Sequence, residues 1–106
     1  MFVELGSSDE LVSFINDNET CLVTFSATWC GPCKATKPKL KDEIAEKSTL
    51  NFGYVYEEDL DPDFFDVFVE IKAFPTYVIF KNGQEVQRVE GTDLDALQKM
   101  LDAHSS

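Results

Sequence analysis

Basic residues are scarce in this chain: nine Lys and Arg stand against twenty Asp and Glu, for a net charge of −11. A protein that neutralises phosphates needs a basic face, so nucleic acid is excluded as a partner. An anionic membrane surface is excluded for the same reason. Long hydrophobic runs are also lacking, and nothing approaches the ~18 apolar residues of a membrane span. Cysteine occurs only three times, too few and too odd a number for a disulfide-stapled secreted scaffold. The opening Met-Phe-Val-Glu-Leu-Gly has neither the basic start nor the apolar stretch of a secretory signal. A cytoplasmic location is therefore expected. Internal repeats, low-complexity tracts and linkers are missing as well.

What is present is core material. Of 106 residues, 43% are hydrophobic and nine are Phe. That is the size and content of one domain, residues 1–106, able to bury a core without disulfides. The acidic excess has two readings: plain solubility and self-repulsion, or steering of basic partners, a rate effect that salt weakens.

Strand and helix signals alternate along the chain. Phe2 to Leu5 reads as a short strand, and Ser7 with Glu10 fits a capping box. Leu11, Phe14 and Ile15 give the helix that follows an apolar stripe. Cys21 to Ala27 reads as a central strand. It runs into a helix expected from about Gly31–Pro32 to Lys47, with Pro32 in the first turn and a kink at Pro38. Leu40 and Ile44 point it to the core. A third strand spans Leu50 to Tyr56, an acidic loop Glu57 to Asp63, and a short helix Asp63 to Glu70. Thr76 to Lys81 and Glu85 to Glu90 form a hairpin through Asn82-Gly83. Asp93 caps a last helix striped by Leu94, Leu97 and Leu101. The order β-α-β-α-β-α-β-β-α predicts one α/β domain, a mixed sheet between layers of helices.

The chemistry concentrates at Cys30-Gly31-Pro32-Cys33. Residues three apart on a helix share a face with Cβ atoms about 5–6 Å apart, and a disulfide needs ~3.8 Å. A small adjustment makes both dithiol and disulfide accessible, and Gly-Pro between them restrains the chain. Cys30 stands where unpaired N–H groups and the positive end of the helix dipole favour a thiolate, with Lys34 adding a cation. It is the expected nucleophile. Cys33, a turn deeper, is expected to resolve the mixed disulfide. The alternatives are half of a zinc site or an inert pair. Zinc needs four ligands, and there is neither a second pair nor a second histidine, so no metal is expected. Glu57, Glu58, Asp59, Asp61 and Asp63 lack the glycine and terminal Glu of a calcium loop and read as solvated. Cys21 reads as a small buried hydrophobe or, alternatively, a regulatory thiol. His104 reads as a solvated tail residue.

Phe25-Ser26-Ala27-Thr28-Trp29-Cys30-Gly31-Pro32-Cys33-Lys34, with Lys37-Pro38 after it, resembles the active-site segment of thioredoxins, especially eukaryotic cytosolic ones. The likeness continues through Phe74-Pro75-Thr76, Phe80-Lys81-Asn82-Gly83 and Gly91, covering essentially the whole chain in family order. The resemblance implies a thioredoxin fold, a mixed five-stranded sheet flanked by four helices. It implies a protein thiol–disulfide oxidoreductase that reduces disulfide-containing protein substrates and carries no cofactor beyond its own Cys30–Cys33 disulfide. It also implies a flavin-dependent, thioredoxin reductase-like electron donor and a monomeric state. Pro75 would be the family's cis-proline facing the pair, with Phe74 backbone open to a substrate strand. Trp29, Phe74, Pro75 and Gly91 would form the docking surface. Two other classes stay open: an oxidase or isomerase of an oxidising compartment, and a binding or chaperone module in which redox is incidental.

One departure stands out. The family usually carries a buried Asp on the strand leading into the site, and spacing puts Thr24 there. A hydroxyl cannot take the proton of the deeper cysteine at neutral pH. It also avoids the cost of burying a carboxylate. Thr24 is then expected to favour stability over resolving speed, unless it is simply a β-branched strand residue. Spacing puts Val55 in place of a lysine that often accompanies that Asp, so the ion pair is expected to be replaced as a unit.

Overall fold

The computed structural model describes residues 1–105. Strands β1 (Phe2–Leu5), β2 (Thr20–Ser26), β3 (Asn51–Tyr56), β4 (Thr76–Lys81) and β5 (Gln84–Glu90) form one sheet in the order β1-β3-β2-β4-β5. Both β1 and β2 run parallel to β3, while β4 is antiparallel to β2 and to β5. The mixed sheet expected from the element order is thus present, with β2 at its centre.

Helix α1 (Ser8–Asp17) begins at the predicted cap: the Glu10 N–H donates to Ser7 Oγ at 3.1 Å. The Glu10 carboxylate accepts from the Gly6 N–H at 2.8 Å and from the Ser7 hydroxyl at 3.5 Å, in place of the Ser7 N–H of the full capping box. The long helix is continuous from α2 (Gly31–Lys39) through a π-helical turn (Leu40–Ile44) to α3 (Ala45–Lys47). The sequence predicts a kink at Pro38, and what the structure shows is a continuous helix with a π-helical turn beginning two residues on. Proline has no N–H for the ladder and its ring crowds the preceding turn, and the widened turn follows directly. A 3₁₀ turn (Glu57–Asp59) and α4 (Phe64–Val67) precede β4. Helix α4 is shorter than the predicted span. The Asn82-Gly83 turn has φ of 53° and 81°, the two positive angles that this type of hairpin requires. Helix α5 (Leu94–His104) starts where the Ala96 N–H donates to Asp93 Oδ1 at 3.0 Å. Taking the α2–α3 rod as one body, four helices flank the sheet among the described residues.

Two apolar layers result. On one face Leu11, Phe14 and Ile15 of α1 and Phe64 of α4 pack against Val23, Phe25, Val55 and Val78. On the other, Leu40 and Ile44 of the rod and Leu97, Met100 and Leu101 of α5 pack against Leu22, Tyr54, Tyr77 and Ile79. Alternation along β2 splits its residues between the layers, as the twofold period of a strand demands. Since β2 is bonded on both edges and covered on both faces, its end is fixed in space. That end feeds the cysteine pair.

Gly53 of β3 marks the tightest fit between sheet and α1. A Cβ there would stand 2.9 Å from both Leu5 Cδ1 and Phe14 Cε2. Gly53→Ala is expected to lower stability by about 1–3 kcal/mol through overpacking, read as a drop in the urea midpoint at unchanged slope. An unchanged midpoint would show that α1 yields freely.

Candidate active site

Strand β2 ends at Ser26, and after four intervening residues α2 begins at Gly31 with Cys30 as its cap residue. The link is a tight turn closed by the Cys30 N–H donating to the Ala27 carbonyl at 3.2 Å. Cys30 and Cys33 are joined in a disulfide, with Cα atoms 5.3 Å apart, inside the range that such bonds occupy. The Cys33 N–H points at Cys30 Sγ, 3.2 Å away. This is the helix-start donor that the sequence places at Cys30, and it favours negative charge on that sulfur once the pair is reduced. Gly31, Pro32 and Lys34 are exposed in the first turn, and the Lys34 N–H donates to the Cys30 carbonyl at 3.2 Å. Cys30 keeps 4% of its surface and Cys33 1%. The deeper sulfur is the predicted one, though the contrast is smaller than the sequence suggests because Phe74 packs on the cluster that the two cysteines form with Ala27.

The remaining predicted residues converge on the pair. The Phe74–Pro75 peptide bond is cis. The Phe74 carbonyl oxygen lies 3.6 Å from Cys30 Sγ. The Gly91 N–H donates to the Pro75 carbonyl at 2.8 Å, bringing the end of β5 beside it. Pro75 itself is buried, and Phe74 and Gly91 are half-buried. The Trp29 indole is 66% exposed and stands edge-on to the Phe74 ring, centroids 5.8 Å apart. An exposed indole beside a disulfide suits contact with another molecule better than core packing.

Two residues of the acidic loop have a role at the site that the sequence did not suggest. Trp29 Nε1–H donates to Glu57 Oε1 at 3.1 Å. The Thr28 N–H donates to both oxygens of Glu58, at 3.2 and 3.0 Å, and the Thr28 hydroxyl donates to Glu58 Oε2 as well. The Thr28 hydroxyl bond, followed by other weaker contributions, holds the Glu58 carboxyl below the usual carboxylate range. The loop read as merely solvated thus clamps the two residues ahead of Cys30. No local signal marks this, because the partners are 28 and 30 positions apart.

Behind the pair, Thr24 is 1% exposed and its Oγ1 has no hydrogen-bond partner among the described residues. Its register neighbours are Tyr54 and Tyr77. The Tyr54 hydroxyl donates to Ser26 Oγ at 2.9 Å, and burial pushes the phenol upward. The Thr36 hydroxyl donates to the Pro32 carbonyl at 3.0 Å, with the Tyr77 hydroxyl 3.4 Å from it. The expected substitution of an ion pair by Thr24 and Val55 needs correction. Val55 is paired with Phe25 and packs in the opposite layer, so Tyr54, not Val55, faces Thr24 across β3. Lys37 stays near that face, 4.8 Å from the Tyr54 ring centre, and donates to Glu4 and to the Tyr56 hydroxyl, each at 2.9 Å.

Cys21 is fully buried beneath α1, and desolvation pushes its thiol up to about 12. His104 lies not in a solvated tail but in the last turn of α5, with Nε2 2.8 Å from Gln87 Oε1 of β5. No group of three or more His, Cys, Asp or Glu with metal-holding geometry occurs among the described residues. No helix there is long and apolar enough to cross a membrane.

A family model described as Thioredoxin matches residues 3–103. The chain belongs to the thioredoxin family. Thioredoxin H9 of Arabidopsis thaliana is 37% identical over 93 residues, which are 88% of this chain and 65% of that protein. Thioredoxin-1 of Saccharomyces cerevisiae is 33% identical over 107 residues, 99% of this chain and all of that one. The crystal structure of Malassezia sympodialis thioredoxin superposes with a TM-score of 0.87 at 30% identity, covering 99% of this chain and 94% of the other. The expected thioredoxin fold is therefore shown, and its Cys-x-x-Cys pair at disulfide distance makes the chain a thiol–disulfide oxidoreductase.

The clamp on Thr28 and Trp29 makes a pH-dependent loop. Because the folded Glu58 value is lowered, its contribution is complete above the unfolded carboxylate value of about 4.3 and is lost as pH falls through the folded value. Trp29 is the single tryptophan, so its emission reports the loop. Acidification below about pH 4.3 is expected to shift that emission in the parent chain and to shift it less in Glu58→Gln. Equal titrations of the two proteins would remove the clamp from the picture.

Proposed function

We propose that this thioredoxin reduces protein disulfides in the cytoplasm, with Cys30 as nucleophile and Cys33 as resolving thiol. The observation that carries the reading is the Cys33 N–H aimed at Cys30 Sγ from the first turn of α2. In the reduced chain the Cys30 thiolate attacks one sulfur of a substrate disulfide. The bond between the substrate sulfurs breaks, and one leaves as a thiolate. The Cys33 thiol then loses its proton, to water or to a departing substrate thiolate, and attacks Cys30 Sγ. The mixed disulfide breaks, and the second substrate thiolate departs. The substrate gains two electrons and two protons, and the pair returns to the Cys30–Cys33 disulfide.

Trp29, Phe74, Pro75 and Gly91 receive the substrate segment in this reading, with backbone at Phe74 pairing to it as an added strand. The Phe74 carbonyl beside Cys30 supports that placement. Gly31, Pro32 and Lys34 support the pair from the first turn. Electrons come from a thioredoxin reductase-like donor, so the chain works in electron transport and cell redox homeostasis as a monomer without a bound cofactor. A measured reduction potential well above the cytosolic glutathione poise would instead favour an oxidase or isomerase.

Two outcomes test the assignment. Cys33→Ser is expected to abolish turnover in insulin reduction and to accumulate substrate mixed disulfides on Cys30, visible by mass spectrometry. Turnover retained in that variant would overturn the roles. For Thr24, an unpartnered buried hydroxyl costs about 1–3 kcal/mol, so Thr24→Val is expected to raise the urea midpoint. Thr24→Asp is expected to lower it and to speed release of the mixed disulfide in stopped-flow. An equally stable and no faster Asp variant would show that Thr24 has no such role.

A further inference from the structure

Between Glu57 and Lys72 the chain carries seven carboxylates and a single lysine, six of its eleven net negative charges. Yet this acidic segment also holds the most exposed large apolar side chain of the protein, Val67 at 81%, and beside it Phe68 at 40%. A groove of about 200 Å³ runs between them, lined by Asp61, Asp63, Phe64, Val67 and Phe68. Phe68 stacks at a tilt on Phe64, centroids 5.1 Å apart.

A chain of aromatic contacts connects the floor of the groove to the rim of the cysteine pair. Phe64 packs edge-on against Phe65, Phe65 against Phe74, and Phe74 against Trp29, at 5.9, 6.4 and 5.8 Å between centroids. The same segment supplies Glu57 and Glu58, which hold Trp29 and Thr28. A partner segment seated on α4 is therefore linked to the docking face of the reactive disulfide through three ring contacts.

Its chemistry follows from size and charge. The space is smaller than the ~300 Å³ at which small-molecule pockets begin, and it suits one or two side chains of a partner protein. Two carboxylates on an apolar floor repel anionic segments, and a second copy of this chain would bring its own acidic groove. A lysine or arginine fits on every count. Its stem covers Val67 and the ring faces, its charge meets Asp61 and Asp63, and a guanidinium gains from the rings themselves.

We infer that the α4 groove is a second docking point for the protein partners of the cysteine pair, selecting disulfides flanked by a basic, apolar segment. The partner's disulfide rests on the reductase reading above; binding in the groove does not. Electrostatic steering of this kind raises association rates and specificity more than residence.

The test uses two synthetic peptides, each with one internal disulfide, flanked in one by alternating Arg and Leu and in the other by Glu and Leu. Insulin serves as reference substrate. The Arg peptide is expected to show about tenfold higher kcat/KM than the Glu peptide at 50 mM salt, an advantage that collapses at 500 mM. The pair Asp61→Asn with Asp63→Asn, and separately Val67→Ser, should each cut the Arg-peptide value at least threefold and leave insulin reduction unchanged. Asp42→Asn with Glu43→Gln removes the same charge from the rod on the opposite face and should leave the Arg peptide unaffected. An equal loss in that control would assign the preference to net charge and overturn the groove. So would equal rates for the two peptides while insulin is still reduced. Loss of a solution dimer in Val67→Ser, seen by light scattering, would assign the groove to a second copy instead. Failure to reduce insulin in the parent chain would strike the reductase reading, and amide shifts at Val67 and Phe68 on adding a cysteine-free Arg-Leu peptide would still decide the groove.

Discussion

A strand bonded along both edges cannot drift, and β2 is such a strand. Hydrogen bonds to β3 on one side and β4 on the other fix it, and apolar layers press on both faces. The cysteines follow within one short turn of its last residue, so their position inherits the precision of the sheet, just under the molecular surface. The first turn of α2 then contributes what a strand cannot, an N–H without a backbone partner directed at a sulfur. Rigidity from the sheet and polarity from the helix start meet at one atom, and the exchange chemistry depends on that meeting.

Around this point the protein uses oxygen ligands of two kinds. Neutral hydroxyls pair Tyr54 with Ser26 within the sheet and tie Tyr77 of the sheet to Thr36 of the rod. Ionised carboxylates of Glu57 and Glu58 secure the loop ahead of it from the solvent side. The division follows solvation. A charge buried under the pair would need an opposite charge to offset its desolvation, whereas the carboxylates at the rim keep their water. Thr24, with its unpartnered oxygen, stands on the buried side, where no carboxylate is placed among the described residues.

Local rules made much of this legible. The capping residues Ser7 and Asp93, the Asn82-Gly83 turn and the stripes of α1 and α5 depend on neighbours within a turn or two, and each stands where the sequence placed it. The cysteine spacing and the helix start beneath it were equally readable. What escaped depends on distant partners. Nothing near Glu57 announces Trp29, and nothing near Gln87 announces His104. Val55 failed for a sharper reason. Side chains on a strand alternate, so an offset of one residue moves a prediction to the other side of the sheet, and Tyr54 holds the place that spacing alone assigned to its neighbour.

Burial of Cys21 gives the molecule a consequence for how it handles charge flow. With its thiol sealed under α1 and pushed to about 12, that sulfur has no reactive anion to offer an oxidant or an alkylating agent. The chain therefore presents a single electrical contact to its surroundings. Electron pairs enter and leave by one terminal, and the third cysteine lies sealed away from it in the core.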